Sequence, residues 1–281
     1  LGAAVSEAGP QIQVEAATVL LVRDGAEGLE APGLEVFMVV RHHEIDSFSG
    51  ALVFPGGKLD PGDADPAVRA VTRRTAHLSD AALRFRIAAI REAFEECGVL
   101  YASKKGDDAL LCEAEVAPLR ARYQQAVLRD EISLREICET EGLELRAGQL
   151  MHYAHWVTPV TQPKIFDTHF YVGPAPADQH AVHDGEESTE SVWIRPQAAI
   201  DAAQAGTRTV VFPTLMNLRR LAQFPTVAAV MAAARDWPVV RVQPVVGPHE
   251  RGRTLNIPAE AGYGVSQVLV GKDGKVAEVL A

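Results

Sequence analysis

The period of the apolar positions changes several times along the chain, and each change marks an element. Residues 1–14 carry no such pattern and read as a loose tail. Ala16–Arg23 is an apolar, β-branched run and reads as a strand. A turn-rich break over 25–33 separates it from a second strand, Leu34–Arg41, so the two form a hairpin with a long loop. Ala51–Phe54 is a third, short strand stopped by Pro55-Gly56-Gly57. Asp65-Pro66 then opens a helix, with proline at the first helical position, where a missing N–H costs nothing. Ser79 caps the next helix and Asp80 follows early, where the helix dipole favours an acid. Leu83, Ile87, Ile90 and Phe94 repeat at roughly helical spacing, and Gly98 stops the helix after Cys97.

The second half alternates faster. Residues 113–141 are charge-rich and mostly helical, with Pro118 breaking or starting a segment. Leu150–Val157 and Phe166–Val172 read as strands, and His180–Thr189 as a polar, acidic loop. Val192-Trp193-Ile194 is a short strand closed by Pro196. Helices follow near 196–205, 213–222 and 226–234. Val239–Val246 is strand-like, and 266–280 resembles a hairpin turning at Asp273-Gly274. There is no internal repeat and no clean strand–helix–strand alternation. The expected fold is α/β: a mixed sheet covered by helices, as one domain over 15–281 with helical insertions near 64–84 and 109–145 and a C-terminal extension.

Composition narrows the partners. A hydrophobic content of 47% supplies a sizeable core. A net charge of −10 repels nucleic acid polymers and anionic membrane surfaces. It leaves small phosphate compounds open, because bound divalent cations reverse the local sign. Cys97, Cys112 and Cys138 are scattered and odd in number, which fits neither a zinc motif nor a disulfide framework and points to a reducing, cytoplasmic setting. Cys97, beside Gly98, reads as a buried, inert thiol. No apolar run is long enough to span a membrane, and residues 1–5 lack the features of a signal peptide.

Candidate chemistry sits in two stretches, Phe54-Pro55-Gly56-Gly57-Lys58-Leu59-Asp60-Pro61-Gly62-Asp63 and Arg91-Glu92-Ala93-Phe94-Glu95-Glu96-Cys97-Gly98-Val99. Glu92, Glu95 and Glu96 share one face of a helix. Carboxylates held that close repel one another, and a hard, oxygen-seeking dication such as Mg²⁺ relieves the repulsion. The Gly56-Gly57 bend lets backbone groups approach a metal or phosphate without interference from a Cβ. A glutamate pair on a helix is usually only a solvated face. Here a glycine bend follows a strand, arginine precedes the first glutamate, and glycine ends the helix.

These stretches resemble the Nudix box: glycine, five residues, glutamate, seven residues, then Arg-Glu-aliphatic-x-Glu-Glu-x-Gly-aliphatic. The resemblance implies an α/β/α Nudix sandwich, Mg²⁺ or Mn²⁺ as cofactor, and hydrolysis of a diphosphate in a nucleotide derivative. Glu92, Glu95, Glu96 and the Gly57 backbone would hold metal, and Arg91 would orient the carboxylates. This chain departs from the motif in three ways. Asp63 stands where glutamate is usual, so its bridge to Arg91 is one methylene shorter. Ala93 is smaller than the usual aliphatic residue. Between Asp63 and Arg91 lie 27 residues instead of seven.

The interrupted box resembles the Nudix subgroup that includes peroxisomal coenzyme A diphosphatases. His155-Trp156-Val157-Thr158-Pro159, Phe166-Asp167-Thr168-His169-Phe170-Tyr171 and Pro213-Thr214 resemble it as well. That likeness makes coenzyme A or acyl-coenzyme A the expected substrate, with Arg41, Gly56, Gly57 and Lys58 as binding residues. It also implies another glutamate before Trp193 as ligand or base. Glu187 is preferred over Glu190, with Asp184 and Glu186 in reserve. Alternatives are ADP-ribose, a dinucleotide or a nucleotide sugar as substrate, or a Nudix-fold binding module without catalysis. A homodimer through the insertions stays open. Two His-x-x-His pairs, His152/His155 and His180/His183, read as ordinary surface or core histidines. A spacing of three within a strand points the first pair to opposite faces.

Overall fold

The computed structural model describes residues 11–25, 33–41, 50–162, 164–181, 188–272 and 276–280, with the backbone alone for Arg41, Ser188 and Thr189. In chain order they form β1 (Ile12–Asp24), β2 (Leu34–Arg41), β3 (Leu52–Val53), β4 (Gly56–Lys58), α1 (Asp80–Cys97), β5 (Ala102–Lys104), α2 (Glu113–Leu128), α3 (Leu134–Glu141) and β6 (Leu143–Leu145). Then follow β7 (Met151–Val157), β8 (Lys164–Pro174), β9 (Ser188–Ile194), α4 (Pro196–Gln204), α5 (Phe212–Leu221) and α6 (Val227–Asp236). The chain closes with β10 (Arg241–Val242), β11 (Val245–His249), β12 (Gly252–Asn256), β13 (Gln267–Gly271) and β14 (Val276–Val279).

β1 organises the main sheet because its apolar middle is wanted on both faces. Along Ile12–Val22 it runs parallel to β8. On its other edge it pairs antiparallel with β4 through Ala16–Thr18 and with β2 through Val22–Asp24. β7 continues the sheet antiparallel to β8, β10 lies parallel to β7, and β3 and β9 flank β2. Ala17, Val19 and Leu21 face a core shared with α1, α2 and α3. Leu20 and Val22 face a second core shared with α4, α5, α6 and the small sheet β11-β12-β13-β14. Alternation along one strand thus feeds two cores, and the result is the expected mixed-sheet α/β/α sandwich.

Several expectations shift at this level. β1 starts at Ile12 rather than Ala16, because its parallel ladder with β8 recruits Gln13 and Glu15 despite their polarity. Pro66 opens only a short 3₁₀ turn, Pro66–Val71, in which the Asp65 side chain accepts from the Ala67 N–H. Pro118 neither breaks nor starts a helix. It lies inside α2 at the cost of one backbone hydrogen bond, which burial of Val116, Leu119 and Val127 offsets. The strand-like stretch 239–246 divides into β10 and the start of β11, and the C-terminal hairpin is half of a four-stranded sheet. Residues 1–10 of the expected tail, most of the acidic loop and the Asp273-Gly274 turn lie outside the described residues.

The excursion between Asp63 and α1 packs on α3 and β6. Asp65 pairs with Arg135 at 2.9 Å, Arg73 pairs with Glu144 at 3.3 Å, and Val68 enters the α1 core. On the opposite face Arg220 is buried. Its guanidinium donates to the carbonyls of Tyr153 (2.9 Å) and Ala261, and lies 3.9 Å from the ring centroid of Tyr263. Trp156 donates to the Tyr263 hydroxyl, which donates to Asn217. These contacts tie the C-terminal extension to the main sheet. Among the described residues no helix is long and apolar enough to cross a membrane.

Candidate functional site

α1 is bounded by local chemistry. The Ser79 hydroxyl accepts from the Ala82 N–H at 3.1 Å, and Gly98 takes the left-handed conformation (φ 65°) that lets the chain turn off the helix. Glu92, Glu95 and Glu96 occupy its last turns, each no more than 7% exposed. The helix packs along β1 and presents this end to β4. A Cβ at Gly57 would stand 2.6 Å from Glu92 Oε1, so a larger residue here would push that carboxylate off the β4 backbone. A Cβ at Gly56 would meet the Ala17 carbonyl oxygen at 2.5 Å, so this glycine serves the pairing of β4 with β1.

Arg91 holds the acids in place. Its Nε and Nη2 donate to Asp63, at 3.1 Å each, which is the bridge expected from sequence despite the shorter side chain. Nη2 also donates to the Lys58 carbonyl at 2.6 Å, and Nη1 donates to Glu95 Oε2 at 2.9 Å. Glu92 Oε1 lies 3.0 Å from Nη1, and Asp60 Oδ2 lies 3.3 Å from Nε. One guanidinium therefore faces four carboxylates, fixing loop and helix together while leaving negative charge in excess.

The electrostatics follow. Burial raises Glu92 well above the usual carboxylate range against the pull of Arg91, with Glu96 and Glu95 adding to the rise. Burial likewise raises Glu95 to about 7 and Asp60 to about 6, and it raises Asp63. Burial works against the charge on Arg91, but Glu92, Asp63 and Glu95 hold its pKa above the ordinary value. A buried, oxygen-only donor set with surplus charge, beside a backbone cradle that a Cβ would fill, fits a hard divalent cation.

The other expected residues fall in different places. Lys58 ends β4 with an exposed side chain, and its contribution here is the carbonyl that Arg91 holds. The Arg41 backbone pairs with Ser188 at the edge of β2, and its side chain lies outside the described residues. Glu187, Asp184, Glu186 and His183 also lie outside them. Glu190 is exposed on β9 and pairs with Arg208 at 2.6 Å. Cys97 is buried. Sequence reasoning gave no role to Asp60, which helps to hold Arg91, or to Gln124, whose amide donates to the Glu95 carbonyl at 2.7 Å. Asp60 lies in the quoted box, three residues before Asp63, and that spacing was the available signal. Gln124 gave none. Asp60, Asp63 and Arg91 also line an open cavity of about 350 Å³, together with Val127, Asp130 and Leu134.

One expectation is overturned. His152 and His155 lie on the same face of the sheet, not on opposite faces. The β7–β8 register shifts between His152 and Ala154, so Tyr153 is a bulged extra residue. His152 stands opposite Tyr171, and His155 opposite His169. The three imidazoles stack, with centroids 4.0 Å apart for His155–His169 and 4.9 Å for His152–His169. His180, by contrast, is exposed, its backbone N–H donating to Glu113.

Comparison with known proteins converges on one family. The family model described as the NUDT19 Nudix domain matches residues 72–221. A putative nudix hydrolase 7 of Caenorhabditis elegans is 30% identical over 67% of this chain and 56% of its own length. The acyl-coenzyme A diphosphatase NUDT19 of Gallus gallus is 27% identical over 75% of this chain and 68% of its own. The chain thus spans between about half and two thirds of these relatives. The crystal structure of a NUDIX hydrolase from Alicyclobacillus acidocaldarius superposes with a TM-score of 0.62 at 27% identity, covering 79% of this chain and 96% of that one. With the glutamate turn, its arginine and the glycine bend assembled as above, the match over 72–221 shows that the chain belongs to the NUDT19 Nudix domain family.

Proposed function

We propose that this protein hydrolyses a diphosphate linkage in a nucleotide derivative, with coenzyme A or an acyl-coenzyme A as substrate and Mg²⁺ or Mn²⁺ as cofactor. The observation that carries this reading is the packing of the Glu92 carboxylate against Gly57 within a buried cluster of acids around Arg91. The substrate class rests on the resemblance to relatives named acyl-coenzyme A diphosphatase. Glu92, Glu95, Glu96 and the Gly57 backbone are the residues that would hold the cation. When bound, it would supply positive charge to the diphosphate oxygens and acidify a water.

The chain's own groups do the rest. Water adds to one phosphorus, the bond from that phosphorus to the bridging oxygen breaks, and two phosphomonoesters leave. A carboxylate of the cluster takes the proton from the attacking water, and Glu187 is the second candidate for that role. Arg91 is a positioning residue: its contacts to Asp63, Glu95 and the Lys58 carbonyl set the distance between helix and bend. For coenzyme A the products would be 3′,5′-ADP and 4′-phosphopantetheine.

The test is a product assay by mass spectrometry with coenzyme A, acyl-coenzyme A, NADH and ADP-ribose, each with and without Mg²⁺. Cation-dependent release of 3′,5′-ADP, faster than cleavage of the other substrates, is expected. Cleavage that ignores EDTA, or no cleavage of any substrate, would overturn the reading.

A further inference from the structure

Across β1 from the glutamate turn, β7 and β8 carry a second cluster on the same sheet face. In register, Gly57 neighbours Ala17, Ala17 neighbours His169, and His169 neighbours His155. We propose that His155, Asp167 and His169 form a separate site for a transition-metal dication of the Zn²⁺ or Co²⁺ type, with His152 orienting His169. This inference does not rest on the diphosphatase reading.

The geometry supports it at each atom. One ligand atom from each of the three residues lies within 4.8 Å of the others. His155 Nε2 is 2.5 Å from Asp167 Oδ1, and His169 Nε2 is 3.8 Å from the same oxygen. Zinc bonds of about 2.0–2.2 Å set tetrahedral ligand atoms roughly 3.4 Å apart, between those two separations. The short contact is a hydrogen bond between an imidazole and a carboxylate, and a dication in its place would widen it by roughly 0.9 Å, to the tetrahedral separation. His169 Nδ1 lies 3.0 Å from His152 Nε2, so the nitrogen not facing Asp167 already has a partner that fixes the ring. In metal-bound histidines the second ring nitrogen is commonly fixed by a hydrogen bond to a carboxylate, carbonyl or water, and here the His152 imidazole stands in that position.

The surroundings also suit a cation. The nearest cations are engaged elsewhere. Arg84 pairs with Glu15. Arg86 donates to the carbonyls of Leu150 and Ala82 and lies over the Tyr171 ring. His155, Asp167 and His169 each keep 16–17% of the side chain exposed, which leaves access for an ion and one further ligand. Two imidazoles and one carboxylate favour Zn²⁺ or Co²⁺ over Mg²⁺, the reverse of the oxygen-only glutamate cluster.

The experiment is titration of the full chain with Co²⁺ in excess Mg²⁺, followed by visible absorption. One equivalent with a tetrahedral ligand-field spectrum is expected, retained in Glu96→Gln. It should weaken by more than about a hundredfold in His155→Gln and in His169→Gln, and by roughly ten- to a hundredfold in His152→Phe. Absence of Co²⁺ binding, a spectrum abolished by Mg²⁺, or one unchanged in the His155 and His169 variants would overturn the proposal. Should those variants fail to fold, the wild-type chain still decides. Zn²⁺ must shift the imidazole nitrogen resonances of His155 and His169, and unmoved resonances at saturating Zn²⁺ overturn it.

Discussion

The glutamate cluster of α1 and the imidazole cluster of β7 and β8 share a sheet face, with β1 between them, yet they are assembled differently. The first is made by one helical turn, and a single arginine restrains it. Its groups are acids driven toward protonation by burial. The second is made across two strands and depends on a bulge. Its imidazoles are driven toward the neutral form, again by burial. The same desolvation therefore pushes the acids toward their protonated form and the imidazoles toward their deprotonated form. Burial disfavours whichever form is charged, and the sign of the consequence depends on the group.

Substitutions can break this comparison. The largest expected effect is on turnover. Glu95→Gln or Glu96→Gln should reduce diphosphate hydrolysis by roughly 10²- to 10⁴-fold with the fold kept, as read by initial rates and circular dichroism. Near-normal rates would show that the acids are structural only. Next is Arg91→Ala, which leaves Asp63, Glu92 and Glu95 without their shared counter-charge. A loss of about 3–5 kcal/mol in urea unfolding at neutral pH is expected, and a smaller loss at pH 5, where the acids protonate. An equal loss at both pH values would argue against repulsion as the cause. Gly57→Ala is smaller. Its Cβ would stand 2.6 Å from Glu92 Oε1, so about 1–3 kcal/mol of stability should go, along with cation affinity measured by calorimetry. Unchanged affinity would mean that the contact does not shape the cradle.

The smallest effect sharpens the contrast. In the metal-free protein Glu95 rises from 4.5 to about 7 and Asp60 from 3.8 to about 6, through burial first in both. The folded state then holds protons that the unfolded chain has released, so these acids lower stability as pH climbs from about 4 to 7. His152 and His169 start from 6.5 and fall to about 4 and about 3. For them the unfolded chain holds the extra protons, so their contribution rises with pH up to about 6.5. Melting curves in EDTA should separate the two. Glu95→Gln should flatten the falling limb and His169→Asn the rising one, by about 2–4 °C each. Identical profiles for both variants would undo the distinction.

The same division decides what could be read from the chain. The helix 80–97, its serine cap, its glycine stop and the grouping of Glu92, Glu95 and Glu96 are local consequences of a 3.6-residue period, and the Asp63–Arg91 bridge was expected from the box. A mixed sheet covered by helices was legible because strand alternation and helix caps agreed, and the three-layer sandwich followed only from the resemblance to the Nudix box. What stayed hidden depends on distant packing. Gln124 reaches the Glu95 carbonyl only because α2 lies on α1. Asp60 meets Arg91 because the excursion after Asp63 returns in register. The histidine faces were misjudged because a bulge sets two residues against one. Nothing in His152-Tyr153-Ala154-His155 announces that Tyr153 and Ala154 both belong to the opposite core.

Arg220 carries a practical consequence for anyone shortening this protein. The family match stops at residue 221, just past Arg220, but the guanidinium is capped by the Ala261 carbonyl and roofed by the Tyr263 ring. A fragment trimmed at that boundary would keep the cation and discard its lid, opening a charged hole in the hydrophobic layer beneath Trp156. A fragment meant to keep this closure must therefore extend beyond Tyr263.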